Sequence, residues 1–115
     1  MTELKDPLVV THGTYIDAWK IIKWNGLNKM SRNHIHFSSY INNKQLRKDR
    51  NVFIFIDTAL AMKDNIVFLR SKNNVILTTG INGRLDPKYF TKVIDISNNT
   101  ILFENNFENN LKNTK

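Results

Sequence analysis

The chain has 115 residues, which is enough for one domain with one modest hydrophobic core but not for two lobes. It contains no cysteine, so disulfides, thiolate metal sites and cysteine nucleophiles are excluded. Its net charge is +7, from 17 Lys and Arg against 10 Asp and Glu, and a basic surface attracts polyanions. Because no apolar run approaches the length of a membrane span and no signal-peptide pattern is seen, we expect an intracellular protein, cytoplasmic or nuclear, with no membrane partner.

The first part of the chain predicts a strand, a helix and a second strand. Residues 8–12 form the first strand and residues 34–37 the second. Residues 15–25 predict the helix, with Thr14 as its N-cap and Gly26 at the left-handed position that ends it. The apolar stripe of this helix, at helical spacing, consists of Tyr15, Ile16, Trp19 and Ile22.

The rest of the chain predicts mostly short strands. Residues 52–56 are apolar on both faces, which is typical of a central strand that is buried on two sides. A short helix is expected over residues 59–62 and a helical turn over residues 87–90. The remaining predicted strands are 66–69, 75–78, 92–96 and 100–104, of which the last two form a hairpin.

These elements predict a single α+β domain over residues 1–104, followed by a polar tail over residues 105–115 that frays. One main helix near the N-terminus and six or seven short strands favour a split pair of small antiparallel sheets packed together. A five-stranded barrel is the alternative, although the helix argues against a pure barrel.

Three polar features could carry chemistry. His34 and His36 lie two apart on a strand and project from one face, but two imidazoles fall short of the three or four ligands of a stable zinc site, so we expect no metal. They are interpreted either as structural polar groups or as ligand contacts. Arg32, just before them, has the planar donor fork that matches phosphate oxygens, and its alternative role is a solvated surface arginine.

The third feature, His12-Gly13-Thr14, lies where a strand meets a helix. Glycine allows a ligand to approach the backbone, and a helix N-terminus favours negative charge, although a plain turn would look the same. The sequence shows no carboxylate pair, serine triad, phosphate-binding glycine loop or dinucleotide fingerprint. It therefore gives no support for a hydrolase or for a Rossmann-type dinucleotide-binding domain.

The order and spacing of many separate blocks resemble the catalytic lobe of the tRNA 2′-phosphotransferase family. The resemblance covers residues 7–96, and its blocks are His12–Tyr15, Trp19, Gly26–Leu27, Met30, Arg32, His34–Phe37, Arg70–Ser71, Asn73, Val75–Thr78 and Pro87–Phe90.

The resemblance implies an ADP-ribosyltransferase-type fold with NAD as co-substrate and, as substrate, RNA carrying an internal 2′-phosphate left by tRNA ligation. In the reaction that the resemblance implies, the phosphate attacks the ribose carbon that bears nicotinamide and expels nicotinamide, giving an ADP-ribosylated phosphate. The neighbouring ribose hydroxyl then attacks the phosphate, which releases 2′-OH RNA and ADP-ribose cyclic phosphate.

The resemblance also implies roles for individual residues. Arg32 is the catalytic residue that engages the 2′-phosphate and NAD, and Arg47 matches a further arginine that would contact RNA phosphate. The residues implied to bind NAD are His12, Gly13, Thr14, His36, Ser71, Asn73 and Val75, with the Gly13 backbone facing nicotinamide.

The chain departs from the family pattern in two respects. Asn74 replaces a usual glycine, and the N-terminal RNA-binding lobe of the family, with its essential Arg-His pair, is absent from this sequence. A partner chain could supply that lobe. The other functions left open are a non-catalytic NAD- or RNA-binding module and an ADP-ribosyltransferase that acts on another nucleic-acid phosphate.

Overall fold

A computed structural model of the protein describes residues 1–39 and 50–105. The prediction that involves Arg47 lies outside the described residues, as does the polar tail from residue 106 onward.

Within the described ranges, the chain forms ten strands, two helices and one 3-10 turn. The strands are Thr2–Glu3 (β1), Val10–Thr14 (β2), Leu27–Asn28 (β3), Ile35–Ser38 (β4), Val52–Ile56 (β5), Phe68–Arg70 (β6), Val75–Thr78 (β7), Arg84–Leu85 (β8), Phe90–Asp95 (β9) and Thr100–Glu104 (β10). The helices are Ile16–Asn25 (α1) and Thr58–Lys63 (α2), and the 3-10 turn is Pro87–Tyr89.

Eight of the strands form one antiparallel sheet in the order β1-β6-β7-β4-β2-β5-β9-β10, while β3 and β8 pair separately. The predicted α+β class is confirmed, and so is the central strand over residues 52–56. Residue Phe55 is partly exposed, whereas the other four residues of β5 are buried. The β-branched and aromatic composition of β5 suits a strand that has neighbours on both edges, here β2 and β9.

The structure differs from the predicted split pair of small sheets, because eight strands join into one large sheet and only β3 and β8 form a second, small one. The join is narrow, however. Strand β2 pairs with β5 over five residues, but its register with β4 consists of the single pair Thr11 and Ser38. Alternating hydrophobicity predicts where strands lie but not which strand edges meet, so the sequence could not reveal this connection.

The hydrophobic core lies between the sheet and the helices. On α1, Trp19 is buried and packs against Phe90 of β9, with ring centroids 6.1 Å apart. The buried Tyr89 donates its hydroxyl hydrogen to a carboxylate oxygen of Asp64 over 2.7 Å, which fastens the 3-10 turn to the end of α2. None of the helices that the structure describes is long and apolar enough to cross a membrane.

The start of α1 differs from the prediction. Thr14 is not its N-cap but the buried last residue of β2, and the cap position falls on Tyr15, whose side chain makes no capping hydrogen bond. The strand therefore covers residues 10–14 rather than 8–12. Tyr15 and Ile16 are exposed, so they do not belong to the buried stripe that contains Trp19.

The end of α1 follows the prediction. Gly26 has a φ of +81°, and its N–H donates to the carbonyl oxygen of Ile22 over 2.8 Å. The hairpin of β9 and β10 is also confirmed, with Asn99 at a φ of +53° in its turn.

We expect Gly26→Ala to destabilise the protein more than Gly83→Ala, although the two glycines have nearly equal φ values of +81° and +82°. A Cβ at residue 26 would collide with the backbone carbonyl of Leu85, whereas a Cβ at residue 83 would meet only flexible methylenes of Lys29. Positive φ alone costs an alanine about 1–2 kcal/mol, and the backbone clash should add at least about 1 kcal/mol. Urea denaturation of both variants measures this difference, and equal losses would contradict the predicted clash.

Candidate functional site

The narrow join between β2 and β4 opens into a cleft with a volume of about 520 Å³. Past the pair of Thr11 and Ser38, the two strands separate, and the next three residues of β2 have no partner on β4 among the described pairs. A strand edge without a partner presents backbone polar groups, which a ligand can bind. Side chains from both strands and from the turn before β4 surround this edge.

His12 spans the gap between the two strands. Its Nδ1–H donates to the carbonyl oxygen of His36 over 2.8 Å, and its ring lies edge-on to Phe37 with centroids 5.9 Å apart. A carbonyl oxygen can only accept, so Nδ1 carries the hydrogen and Nε2 of the neutral ring is an acceptor.

The pKa of His12 is lowered from its ordinary value of 6.5, chiefly because the surrounding protein shields the half-buried imidazole from water. The hydrogen bond to the His36 carbonyl opposes this effect, while the positive charges of Arg50 and Arg32 and the neighbouring His36 ring add to the lowering. His12 is therefore neutral at pH 7, and a hydrogen-bonding group rather than a cation lies at the strand junction.

His36 reaches the cleft because of the strand alternation that the sequence shows. In β4, Ile35 and Phe37 are buried and His36 and Ser38 are exposed, so the two pairs lie on opposite faces. His36 Nδ1–H donates to the carbonyl oxygen of His34 over 3.1 Å, which fixes the direction of its ring. His34 also lines the cleft.

Cationic side chains line the same cleft. Arg32 and Lys29 lie in the turn before β4, and Arg50 lies just before β5. The backbone N–H of Arg32 donates to the carbonyl oxygen of Lys29 over 3.0 Å, and the backbone N–H of Lys29 donates to the carbonyl oxygen of Gly83 over 2.9 Å. These contacts hold the turn in place, and the resulting positive rim favours an anionic ligand.

A buried hydroxyl group lines the cleft without a partner. Thr11 is 2% exposed, and its Oγ1 has no hydrogen bond to any described residue. An unsatisfied buried polar group costs about 1–3 kcal/mol.

A smaller pocket of about 350 Å³ adjoins the cleft and shares Phe37, Ser38 and Val75 with it. Arg70 and Asn73 line this smaller pocket. The turn that carries Asn73 is shaped by Ser71, whose Oγ accepts the N–H of Val75 over 3.1 Å and that of Asn73 over 3.3 Å.

The structure brings most of the predicted site residues together. Those that line the cleft are His12, Gly13, Thr14, Arg32, His36 and Val75. Asn73 lines the adjoining pocket, while Ser71 shapes the turn that carries it. Asn74 has a φ of +62°, which is the backbone region that favours glycine or asparagine, so the replacement of glycine is conformationally neutral there.

Sequence reasoning missed Arg50, Lys29 and Thr11 as residues of the cleft. Arg50 reaches it because Val52 pairs with Thr14 at the end of β2, and one sequence does not reveal which strands pair. Thr11 looked like an ordinary strand residue, since an unpartnered hydroxyl has no signature in the sequence.

The fold and the site define an α+β domain with one cleft of about 520 Å³ that is lined by the His12 imidazole and by cationic rim groups. The sequence model of the RNA 2′-phosphotransferase, Tpt1 / KptA family matches residues 1–80 of the chain. The chain belongs to this family.

Relatives from several organisms are similar to the chain. A Schizosaccharomyces pombe protein named for tRNA 2′-phosphotransferase activity is 44% identical over 89 residues, which are 73% of this chain and 24% of the relative. The Mus musculus tRNA 2′-phosphotransferase 1 is 38% identical over 96 residues, 78% of this chain and 39% of the relative. A Fusobacterium nucleatum protein named as an RNA 2′-phosphotransferase is 34% identical over 82 residues, which are 68% of this chain and 46% of the relative. The chain thus spans less than half the length of these relatives.

We expect His12 to make the stability of the protein depend on pH below about 6.5. Because folding lowers the pKa of His12, the unfolded chain binds a proton at this residue more readily than the folded chain does. The free energy of unfolding therefore falls as the pH drops from 6.5, the ordinary pKa of histidine, toward the lower pKa of His12 in the folded protein. His12→Asn removes the titrating group and should flatten this part of a plot of Tm against pH. His34→Asn serves as the control and should keep the decline, and an unchanged decline in His12→Asn would assign it to another group.

Proposed function

We propose that this chain forms the NAD-binding part of an NAD-dependent RNA 2′-phosphotransferase, which removes an internal 2′-phosphate from ligated tRNA. The observation that carries the proposal is the cleft at the join of β2 and β4, where His12, His36 and Arg32 lie together. Membership of the family and the names of the relatives support the same reaction.

An ADP-ribosyltransferase-type fold is part of this proposal. The narrow join divides the large sheet into two halves of four strands, β1-β6-β7-β4 and β2-β5-β9-β10. A sheet that is almost split at its centre leaves room for a dinucleotide between the halves, which supports this type of fold.

The residues of the cleft fit NAD in size and in chemistry. Ligand sites typically enclose about 300–1,000 Å³, and the cleft of about 520 Å³ continues into the pocket of about 350 Å³. The dinucleotide carries a diphosphate, which suits the cationic rim, and amide and hydroxyl groups, which suit the unpaired edge of β2.

Each group that lines the cleft has a role in holding the dinucleotide. The backbone beside Gly13 and Thr14, past the last pair with β4, would bond to the carboxamide of nicotinamide. His12 would accept a hydrogen bond at Nε2, and His36, fixed by the carbonyl of His34, would contact the ribose. Asn73 and Val75 would line the adenosine side, with Ser71 supporting the turn.

Arg32 is the proposed catalytic residue. Its guanidinium can hold the oxygens of the 2′-phosphate in two parallel hydrogen bonds. Bound NAD supplies an electrophilic ribose carbon with nicotinamide as its leaving group. Arg32 would orient the phosphate toward that carbon, and the neutral His12 would add no further positive charge beside the cationic nicotinamide ring of NAD.

We expect NAD to raise the Tm of the chain, because a ligand that binds only the folded state stabilises it, by about 2.7 kcal/mol at 100 times its Kd. His36→Ala should weaken NAD binding by about tenfold through the loss of one ribose contact. Lys63→Ala is the control, since Lys63 lies on α2 and lines neither the cleft nor the adjoining pocket. An unchanged Tm of the wild-type chain at millimolar NAD would contradict the proposal.

We expect the chain, incubated with NAD and RNA that carries one internal 2′-phosphate, to release nicotinamide and 2′-OH RNA. Arg32→Ala should lower the rate by at least about 100-fold, the scale on which loss of one charge-stabilising donor slows an enzyme. Arg32→Lys keeps the charge without the planar fork and should retain an intermediate rate.

The products separate the alternatives. Stabilisation by NAD with no product would favour a non-catalytic binding module, and a lasting ADP-ribosylated nucleic acid would favour transfer to another phosphate. The control Lys20→Ala removes an exposed cation of α1 and should leave the rate unchanged.

A further inference from the structure

A second pocket lies beside the cleft, on the side of the small β3–β8 sheet. It has a volume of about 390 Å³ and shares the residue Asn28 with the cleft. We propose that this pocket binds the nucleotide next to the one that carries the 2′-phosphate, so that the RNA strand passes over Asn28. The inference rests on the proposed function and adds to it a subsite for the substrate strand.

The lining of this second pocket matches the parts of one nucleotide. Arg84 and Lys88 provide positive charge for a phosphodiester. Ile81 is 56% exposed and offers an apolar surface on which a flat base can rest. The amide groups of Asn28 and Asn82 can bond to the edges of a base or to a ribose hydroxyl.

The two cations are positioned by contacts that phosphate can replace. Arg84 Nη1 lies 3.3 Å from a carboxylate oxygen of Asp86, and Lys88 Nζ lies 3.5 Å from one of Asp64. Both ion pairs are partly exposed to water and contribute little to stability, so exchanging a carboxylate for a phosphodiester costs little. Arg84 Nε also donates to the carbonyl oxygen of Asn25, which keeps the guanidinium at the pocket during the exchange.

Charge and position favour the RNA strand over the dinucleotide in this pocket. Asp86 and Asp64 offset part of the charge of the two cations, so the pocket suits the single charge of a phosphodiester better than the two charges of a diphosphate. The pocket beside Arg70 and Asn73, which the proposed function gives to NAD, shares no lining residue with this second pocket. The cleft shares only Asn28 with this second pocket, so the dinucleotide and the RNA strand can be bound at the same time.

The test compares two probes by isothermal titration calorimetry: a nucleoside 2′-phosphate, and a trinucleotide whose central residue carries the 2′-phosphate. We expect the wild-type chain to bind the trinucleotide about tenfold more tightly. Ile81→Asp, which places a negative charge at the exposed rim, and Lys88→Gln should each remove most of this advantage and leave binding of the nucleoside 2′-phosphate unchanged.

Ile101→Asp and Lys63→Gln are the matched controls. Ile101 is 53% exposed on β10, and neither residue lines the cleft or the two pockets. Both controls should keep the tenfold advantage. If the wild-type chain binds both probes equally, or if the pocket variants keep the advantage, the subsite is wrong while the proposed function stands. If neither probe binds, both are wrong.

Discussion

The site depends on one constraint, the narrow join between β2 and β4. A full ladder between these strands would close the edge of β2, and no join at all would separate the halves of the sheet. The single pair of Thr11 and Ser38 keeps the halves together, and the hydrogen bond from His12 Nδ1–H to the carbonyl oxygen of His36 spans the point where they separate. The cleft therefore exists because one side chain replaces part of a strand ladder.

The same hydrogen bond determines the electrostatics of the cleft. It fixes the hydrogen of His12 on Nδ1, while burial and the nearby arginines lower the pKa of the ring, so a neutral acceptor lies inside a positive rim. Positive charge at the rim attracts and holds phosphate, and a neutral group at the centre lets an uncharged or cationic group approach. Arg32 provides the positive charge and His12 the neutral group, and both residues line the same cleft.

Much of the fold was readable from the sequence. The apolar run Val52–Ile56 had to be a central strand, because both of its faces need burial. Gly26 ended α1 as expected, and the hairpin at Asn99 formed where turn residues separate two strands. The error at Thr14 arose because a threonine before a helix can be either a cap or a strand residue. In the folded protein Thr14 pairs with Val52 of β5, which makes it the last residue of the strand β2.

The sequence by itself determined the residue types of the site and the face on which each strand presents them, because alternation puts His36 opposite Ile35 and Phe37. It also carried the order of blocks that resembles the 2′-phosphotransferase family. Only the tertiary structure decided that β4 meets β2 at a single pair, that Arg50 reaches the same cleft and that Asn28 connects it to a second pocket. Such contacts join residues distant in the chain, and local spacing carries no record of which strand edges come together.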